Sequence, residues 1–181
     1  MLTRKEFETA QVRALEYMKK AGVALTDEET KRIEVADFGL SELNSSGLEL
    51  AVLINNDRYC VKQLALFPRQ TCPEHVHPPI NGEIGKQETL RCVWGEIFLC
   101  VEGESTPNPK AQPPASRKST YTSWNEIVLK PGQQHTVVPG TLHWFQGGDQ
   151  GAVAIVFSST SRDESDVFTD PDIKRATIIE D

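Results

Sequence analysis

The chain has 181 residues, with 19 Lys plus Arg against 26 Asp plus Glu and a formal net charge of -7. That length supplies a substantial core for one domain and predicts no second, while the acidic balance, with a pI near 5.2, offers no general attraction to phosphates or anionic lipid. Nucleic acid is therefore not an expected partner. The N-terminus lacks the apolar core of a signal peptide, and no stretch approaches the roughly 20 apolar residues of a membrane span, so a cytosolic location is expected. Cys60, Cys72, Cys92 and Cys100 are too few and too dispersed for a disulfide framework and are read as reduced thiols.

Residues 1–33 read as a helical segment. Thr3 with Glu6 makes a capping box, Phe7, Val12, Leu15 and Met18 approximate an apolar stripe, and Gly22 ends it. Thr26 with Glu29 opens a second, short helix. From residue 34 to 181 the pattern is that of strands: LELAVLI, a turn at NND, then RYCVKQLALF. TLRCVW and EIFLCVEG flank Gly95, and EIVLK, QHTVV and HWFQ end at Pro131-Gly132, Pro139-Gly140 and Gly147-Gly148, before AVAIVFSS. Many short strands separated by Gly and Pro turns predict a mainly β fold, an antiparallel barrel or sandwich of the jelly-roll kind with short N-terminal helices. Residues 103–119, GESTPNPKAQPPASRKS, are too poor in apolar side chains to pack and are expected to form an exposed loop.

The chemistry concentrates between Cys72 and Gly95. In extended backbone, which Pro73, Pro78 and Pro79 favour, His75 and His77 point the same way. The same alternation puts Lys86, Glu88, Leu90, Cys92 and Trp94 on one face, so that Glu88 and Lys86 turn inward at the mouth of a core. An inward carboxylate costs several kcal/mol unless it finds a cation, and a metal shared with the histidines supplies one. His143, in PGTLHWF, adds a third imidazole at the start of a new strand. Three neutral nitrogens and one carboxylate without sulfur suit a borderline to hard divalent ion with two open positions, which leaves manganese, iron, cobalt, nickel and zinc all in play.

Each piece alone has a plainer explanation. A lone HxH is a weak signal, Lys86 alone reads as a solvated lysine, and Glu88 alone could pair with Arg91. Cys72 and His75 have zinc-finger-like spacing, but no second such pair exists. The metal reading rests on the convergence of three of the chain's four histidines on two Pro/Gly-bounded segments with a carboxylate between them; His135 has no tie to the set. Further along, alternation places Ser158, Thr160, Arg162, Glu164 and Asp166 on one side if the strand continues, against the alternative of a solvated tail. Phe145 shares its parity with His143 and borders the site, whereas Trp94, Trp144 and Trp124 are read first as core or interface aromatics.

HVH, then Glu88 followed by six residues and Gly95, resembles the first cupin motif, and Gly132 through PGTLH, ending at His143, resembles the second. The second motif departs from the usual pattern in having Pro and Gly adjacent and no trailing Asn. Across residues 60–175, EHVHPP, GKQETLRCVWGE, PGTLHWFQGG and SSTSRDESDVFTDP look like the D-lyxose isomerases, cupin-fold sugar isomerases using manganese. The resemblance implies a cupin jelly-roll barrel, interconversion of D-lyxose with D-xylulose and commonly of D-mannose with D-fructose, and a homodimer. It also implies His75, His77, Glu88 and His143 as metal ligands, Lys86 and Glu164 exchanging protons with substrate through an enediol, and Arg162, Asp166 and Phe145 binding the sugar. A metal-dependent cupin oxygenase or decarboxylase and a non-catalytic sugar-binding cupin are the alternatives.

Overall fold

The structure, a computed structural model, describes residues 1–181. It begins with a two-residue strand β1 (Leu2–Thr3), followed by α1 (Arg4–Lys20) and α2 (Asp27–Lys31). Both helices start at the capping boxes read from the sequence: Thr3 and Thr26 each accept from the backbone of the third helical residue, and Glu6 and Glu29 reach back to the cap N–H. The buried stripe of α1 is Ala10, Ala14 and Met18, which pack with Ala51, Ala65 and Phe67. Small residues on this stripe let the helix lie close against the sheet, and Val12, expected on it, is exposed.

The strands follow as β2 (Glu34–Ala36), β3 (Leu48–Asn55), β4 (Cys60–Leu66), β5 (Thr71–Val76), β6 (Glu88–Val101), β7 (Asn125–Leu129), β8 (Gln134–Val137), β9 (His143–Ser158), β10 (Val167–Phe168) and β11 (Ile179–Glu180). The main sheet runs β10-β5-β9-β4-β3-β2, with β6 on the other side of β9 and β7 and β8 beyond β6; β11 pairs with β1 in a separate parallel ribbon. The sheet curls into a cupin-like half-barrel, as the strand pattern predicted.

β6 and β9 are the two long strands, and both bend at one level. Gly95, at φ +76, pairs with Ala152, and a Cβ added there would lie 2.2 Å from the Gly151 carbonyl oxygen, so only glycine allows the strands to cross so closely. Bulges flank this point, between Cys92 and Trp94 and between Gly95 and Ile97. The first bulge corrects one expectation. Leu90 and Cys92 face the core, but Trp94 is turned to the outer face, where its ring meets Tyr17 of α1 edge-on.

The barrel interior is filled by Leu50, Leu64, Leu90, Ile97, Leu99 and Phe145 among others. Residues 103–119 are mostly exposed, but they fold back on the sheet and run into a 3-10 helix at Ala115–Thr120. The backbone N–H groups of Lys110 and Ala111 donate to the Glu126 carboxylate at 3.0 and 2.6 Å, and Ala111 is buried beside Phe98, Tyr121 and Trp144. No helix is long and apolar enough to cross a membrane.

Glu49 sits on β3, fully buried, with Oε1 accepting from Gln70 Nε2 at 3.0 Å and Oε2 without a partner. Burial pushes its pKa up from 4.5 to about 8. The folded state thus holds a proton that the unfolded chain releases. This contribution to stability is complete below the ordinary carboxylate pKa and is lost as pH rises through about 8. Glu49→Gln keeps the acceptor for Gln70, so its melting temperature should gain on the wild type between pH 5 and 9 in thermal unfolding; parallel pH profiles for the two proteins would contradict the assignment.

Candidate metal centre

His75 lies near the end of β5, directly opposite His143 at the start of β9, and His77 follows one residue beyond the strand. Alternation along the chain and pairing across it therefore bring three rings together. Their centroids are 4.3 Å apart for His75 and His143, 5.1 Å for His75 and His77, and 4.9 Å for His77 and His143. All three are buried, and one donor atom from each falls within 4.8 Å of the others.

Backbone carbonyls fix the tautomers. His75 Nδ1 lies 2.8 Å from the Pro73 oxygen and His143 Nδ1 2.9 Å from the Thr141 oxygen. A carbonyl can only accept, so Nδ1 carries the proton and Nε2 offers its lone pair. Burial pushes the imidazole pKa values down, to about 2 for His77 and about 3 for His143, which keeps the rings neutral. The Nε2 atoms of His77 and His143 are buried without a hydrogen-bond partner. Two buried ring nitrogens without partners cost free energy unless a ligand takes them, and a cation bound to Nε2 would do so. The donor set fits a borderline divalent ion.

Glu88 opens β6 and stands beside this triad, with Oε2 3.9 Å from His77 Nε2 and 3.0 Å from Lys86 Nζ. Lys86 also contacts Asp163 Oδ1 at 3.1 Å. Burial would drive the Lys86 proton off, but the carboxylates of Glu88, Asp163 and Asp166 outweigh it and hold the ammonium well above its ordinary pKa. Burial likewise opposes ionisation of Glu88 and Asp163. Lys86 reverses this for Glu88, and Lys86 with Lys62 for Asp163, so both stay far below the usual carboxylate range.

Sequence reasoning missed Asp163, Lys62 and Arg175. Lys62 pairs with Asp163 and donates to Ser161 Oγ at 2.8 Å, and Arg175 reaches Asp163 Oδ2 at 3.5 Å. A signal for Lys62 was present: it alternates with Leu64 and Leu66, so in β4 it must face inward. Arg175 comes from the irregular C-terminal tail, where no periodicity marks it.

The segment after β9 does not continue as a strand. β9 stops at Ser158, and Asp163–Ser165 form a single 3-10 turn. The alternation assumed for Arg162, Glu164 and Asp166 therefore fails. Asp163 and Asp166 point into the cavity with His75, Lys86, Glu88 and Phe145, while Glu164 is exposed. Arg162 pairs with Glu83 at 2.9 Å and lines a cleft outside the cavity, where His77, Lys86 and Asp166 also surface. Asp166 Oδ1 is 3.9 Å from His77 Nε2, and no hydrogen bond holds its side chain. Burial pushes its pKa up to about 7.

A curled antiparallel half-barrel with three imidazoles converging at its mouth defines a protein of cupin-like fold with a donor cluster able to hold a metal ion. The chain belongs to the D-lyxose isomerase family, whose sequence profile matches residues 26–181. It is 56% identical to the D-lyxose/D-mannose isomerase of Thermosediminibacter oceani over 181 residues, all of both chains. It is 55% identical to the D-lyxose ketol-isomerase of Cohnella laeviribosi over 175 residues, 97% of this chain and 96% of that one. Among solved structures, the L-ribose isomerase of Acinetobacter sp. DL28 in complex with L-ribose shares the fold, with a TM-score of 0.83 at 16% identity, covering 99% of this chain and 98% of that one.

Titration with manganese should raise the melting temperature, by an amount corresponding to about 2.7 kcal/mol at a hundredfold excess over Kd. His77→Ala and His143→Ala should each abolish the shift in thermal unfolding and the binding heat in calorimetry. A shift that survives either change would place the ion elsewhere.

Proposed function

We propose that the protein is a metal-dependent aldose–ketose isomerase that interconverts D-lyxose and D-xylulose, and D-mannose and D-fructose as a second pair. The observation that carries this reading is the pair of partnerless, buried imidazole nitrogens beside a charged Lys86 and an unbonded Asp166, in a chain of the D-lyxose isomerase family. His75, His77, Glu88 and His143 are the residues to hold the ion, for which manganese is the proposed identity. A divalent ion there supplies a Lewis acid that polarises the sugar's carbonyl and acidifies the adjacent carbon.

The chain's own groups move the protons. Isomerisation takes a hydrogen from C2 and returns one to C1, so one base must reach both carbons. Asp166 is assigned that role, because Glu88 and Asp163 are already tied to lysines and Glu164 is turned to solvent. Lys86, held charged, donates to the substrate oxygens. Asp163 and Ser161 orient it, with Nζ 3.1 Å from Asp163 Oδ1 and 3.5 Å from Ser161 Oγ. Phe145 gives the sugar an apolar wall, and Arg162 serves hydroxyls at the outer cleft once it leaves Glu83.

A cytosolic homodimer is proposed from the family resemblance. Support comes from the outer sheet face, where Ile54, Val61 and Phe157 stand in one row across β3, β4 and β9, with Ile54 and Phe157 exposed. Oxygenase and simple binding roles are disfavoured, since neither needs a buried lysine beside an unbonded carboxylate.

Chelator-stripped protein, restored with manganese and given D-lyxose in heavy water, should form D-xylulose with deuterium at C1 by proton NMR. No ketose from lyxose or mannose with metal bound would sink the reading, and ketose without deuterium would favour hydride transfer over the acid–base route. Asp166→Asn should lower kcat by about 10²–10⁴ with metal content unchanged, while Glu164→Gln stays within about twofold of the wild type. The reverse order of effects would return the base role to Glu164.

A further inference from the structure

Phe38 is buried, yet its backbone lies at φ +55, and Gly39 follows at φ +70. A bulky side chain in the left-handed region is an outlier that survives only where the surroundings hold it. Here they do so from the C-terminal tail. Lys174 N donates to the Phe38 carbonyl at 2.9 Å, and a Cβ on Gly39 would meet the Lys174 side chain at 3.1 Å.

The strained backbone sends the ring into the metal-site cavity. Phe38 follows β2, one edge of the curled sheet, and its ring meets Phe168 of β10, the opposite edge, at 5.6 Å between centroids. Phe168 in turn lies 5.5 Å from His75. Two ring contacts therefore separate Phe38 from the metal ligands along one aromatic wall. On its other side the Arg175 guanidinium stands 6.0 Å from the Phe38 ring centroid, and Leu48 and Leu50 complete the apolar end of the cavity.

We propose that Phe38 determines specificity by forming the end wall that limits how long a sugar chain the site accepts, discriminating five-carbon from six-carbon substrates. The inference rests on the isomerase reading above. A sugar whose C1 and C2 lie at the imidazoles has its far end directed along the Phe168 wall toward Phe38. The ring then meets the terminal hydroxymethyl group, and the sixth carbon of a hexose has to be accommodated against it.

The test compares wild type, Phe38→Ala and the milder Phe38→Leu in kcat/KM for D-mannose and D-lyxose, and in calorimetric binding of D-mannitol and D-arabinitol to the manganese-loaded proteins. Phe67→Leu, in the separate core under α1, controls for general loosening. One methylene of added room is worth roughly 10-fold or more in discrimination. The hexose-to-pentose ratio should rise by about that factor in Phe38→Ala and less in Phe38→Leu, in turnover and in polyol binding alike, with metal content unchanged and no change of ratio in Phe67→Leu. Ratios within about twofold of wild type in a folded, active Phe38→Leu would overturn the end-wall role and leave the isomerase reading intact. If the wild type turns over neither sugar but binds the polyols with a length preference that Phe38→Leu relaxes, the end wall stands and the isomerase reading fails. Absence of both turnover and polyol binding overturns both.

Discussion

Charges buried in one cavity have to compensate each other locally, because water is not there to do it. Lys62, Lys86 and Arg175 face Glu88, Asp163 and Asp166 in a single lining, with the three imidazoles held neutral beside them. The elements that form the barrel mouth each bring part of this balance. β4 carries Lys62, β6 opens with Glu88, the turn after β9 carries Asp163, and the tail delivers Arg175. Lys86 is the shared element, since its loss takes the ammonium partner from Glu88 and leaves Asp163 with Lys62 and Arg175. The tail and the post-β9 turn are irregular, and this network is one of the forces that fixes them against the sheet.

The same balance separates the cavity carboxylates by role. Asp163 is enclosed by Lys86, Lys62, Arg175 and Ser161 and behaves as a fixed anion. Glu88 is bound to Lys86 in the structure and stands within reach of His77. Of the three, Asp166 alone has no hydrogen bond to its side chain, and the proposed base role rests on that difference. Three carboxylates of similar intrinsic acidity thus differ through their surroundings, as expected where acid–base work is divided within one site.

The barrel and the imidazole cluster were legible in the sequence because both follow from short-range rules. Period-two patterning marked the strands, and HxH with Glu88 and His143 at strand starts needed only alternation to converge. Lys86 was legible beside Glu88, but the carboxylates after β9 were not, for the same reason. Their placement depends on where β9 ends, and a 3-10 turn at Asp163–Ser165 shifts the phase by an amount no alternation can supply, moving Asp163 inward and Glu164 outward. The Trp94 reversal has a similar cause, a bulge beside Gly95. Phe38 and Arg175 lie in irregular segments that become part of the site only when the two sheet edges meet.

The proposed function turns on the three Nε2 atoms and Glu88 converging on one divalent ion. Anomalous diffraction at the manganese edge from a manganese-soaked crystal tests it most directly. One strong peak is expected at bonding distance from Nε2 of His75, His77 and His143 and from a Glu88 oxygen, with Lys86 displaced from Glu88. A peak bound by other side chains, or none with the imidazoles ordered as they are here, would contradict it.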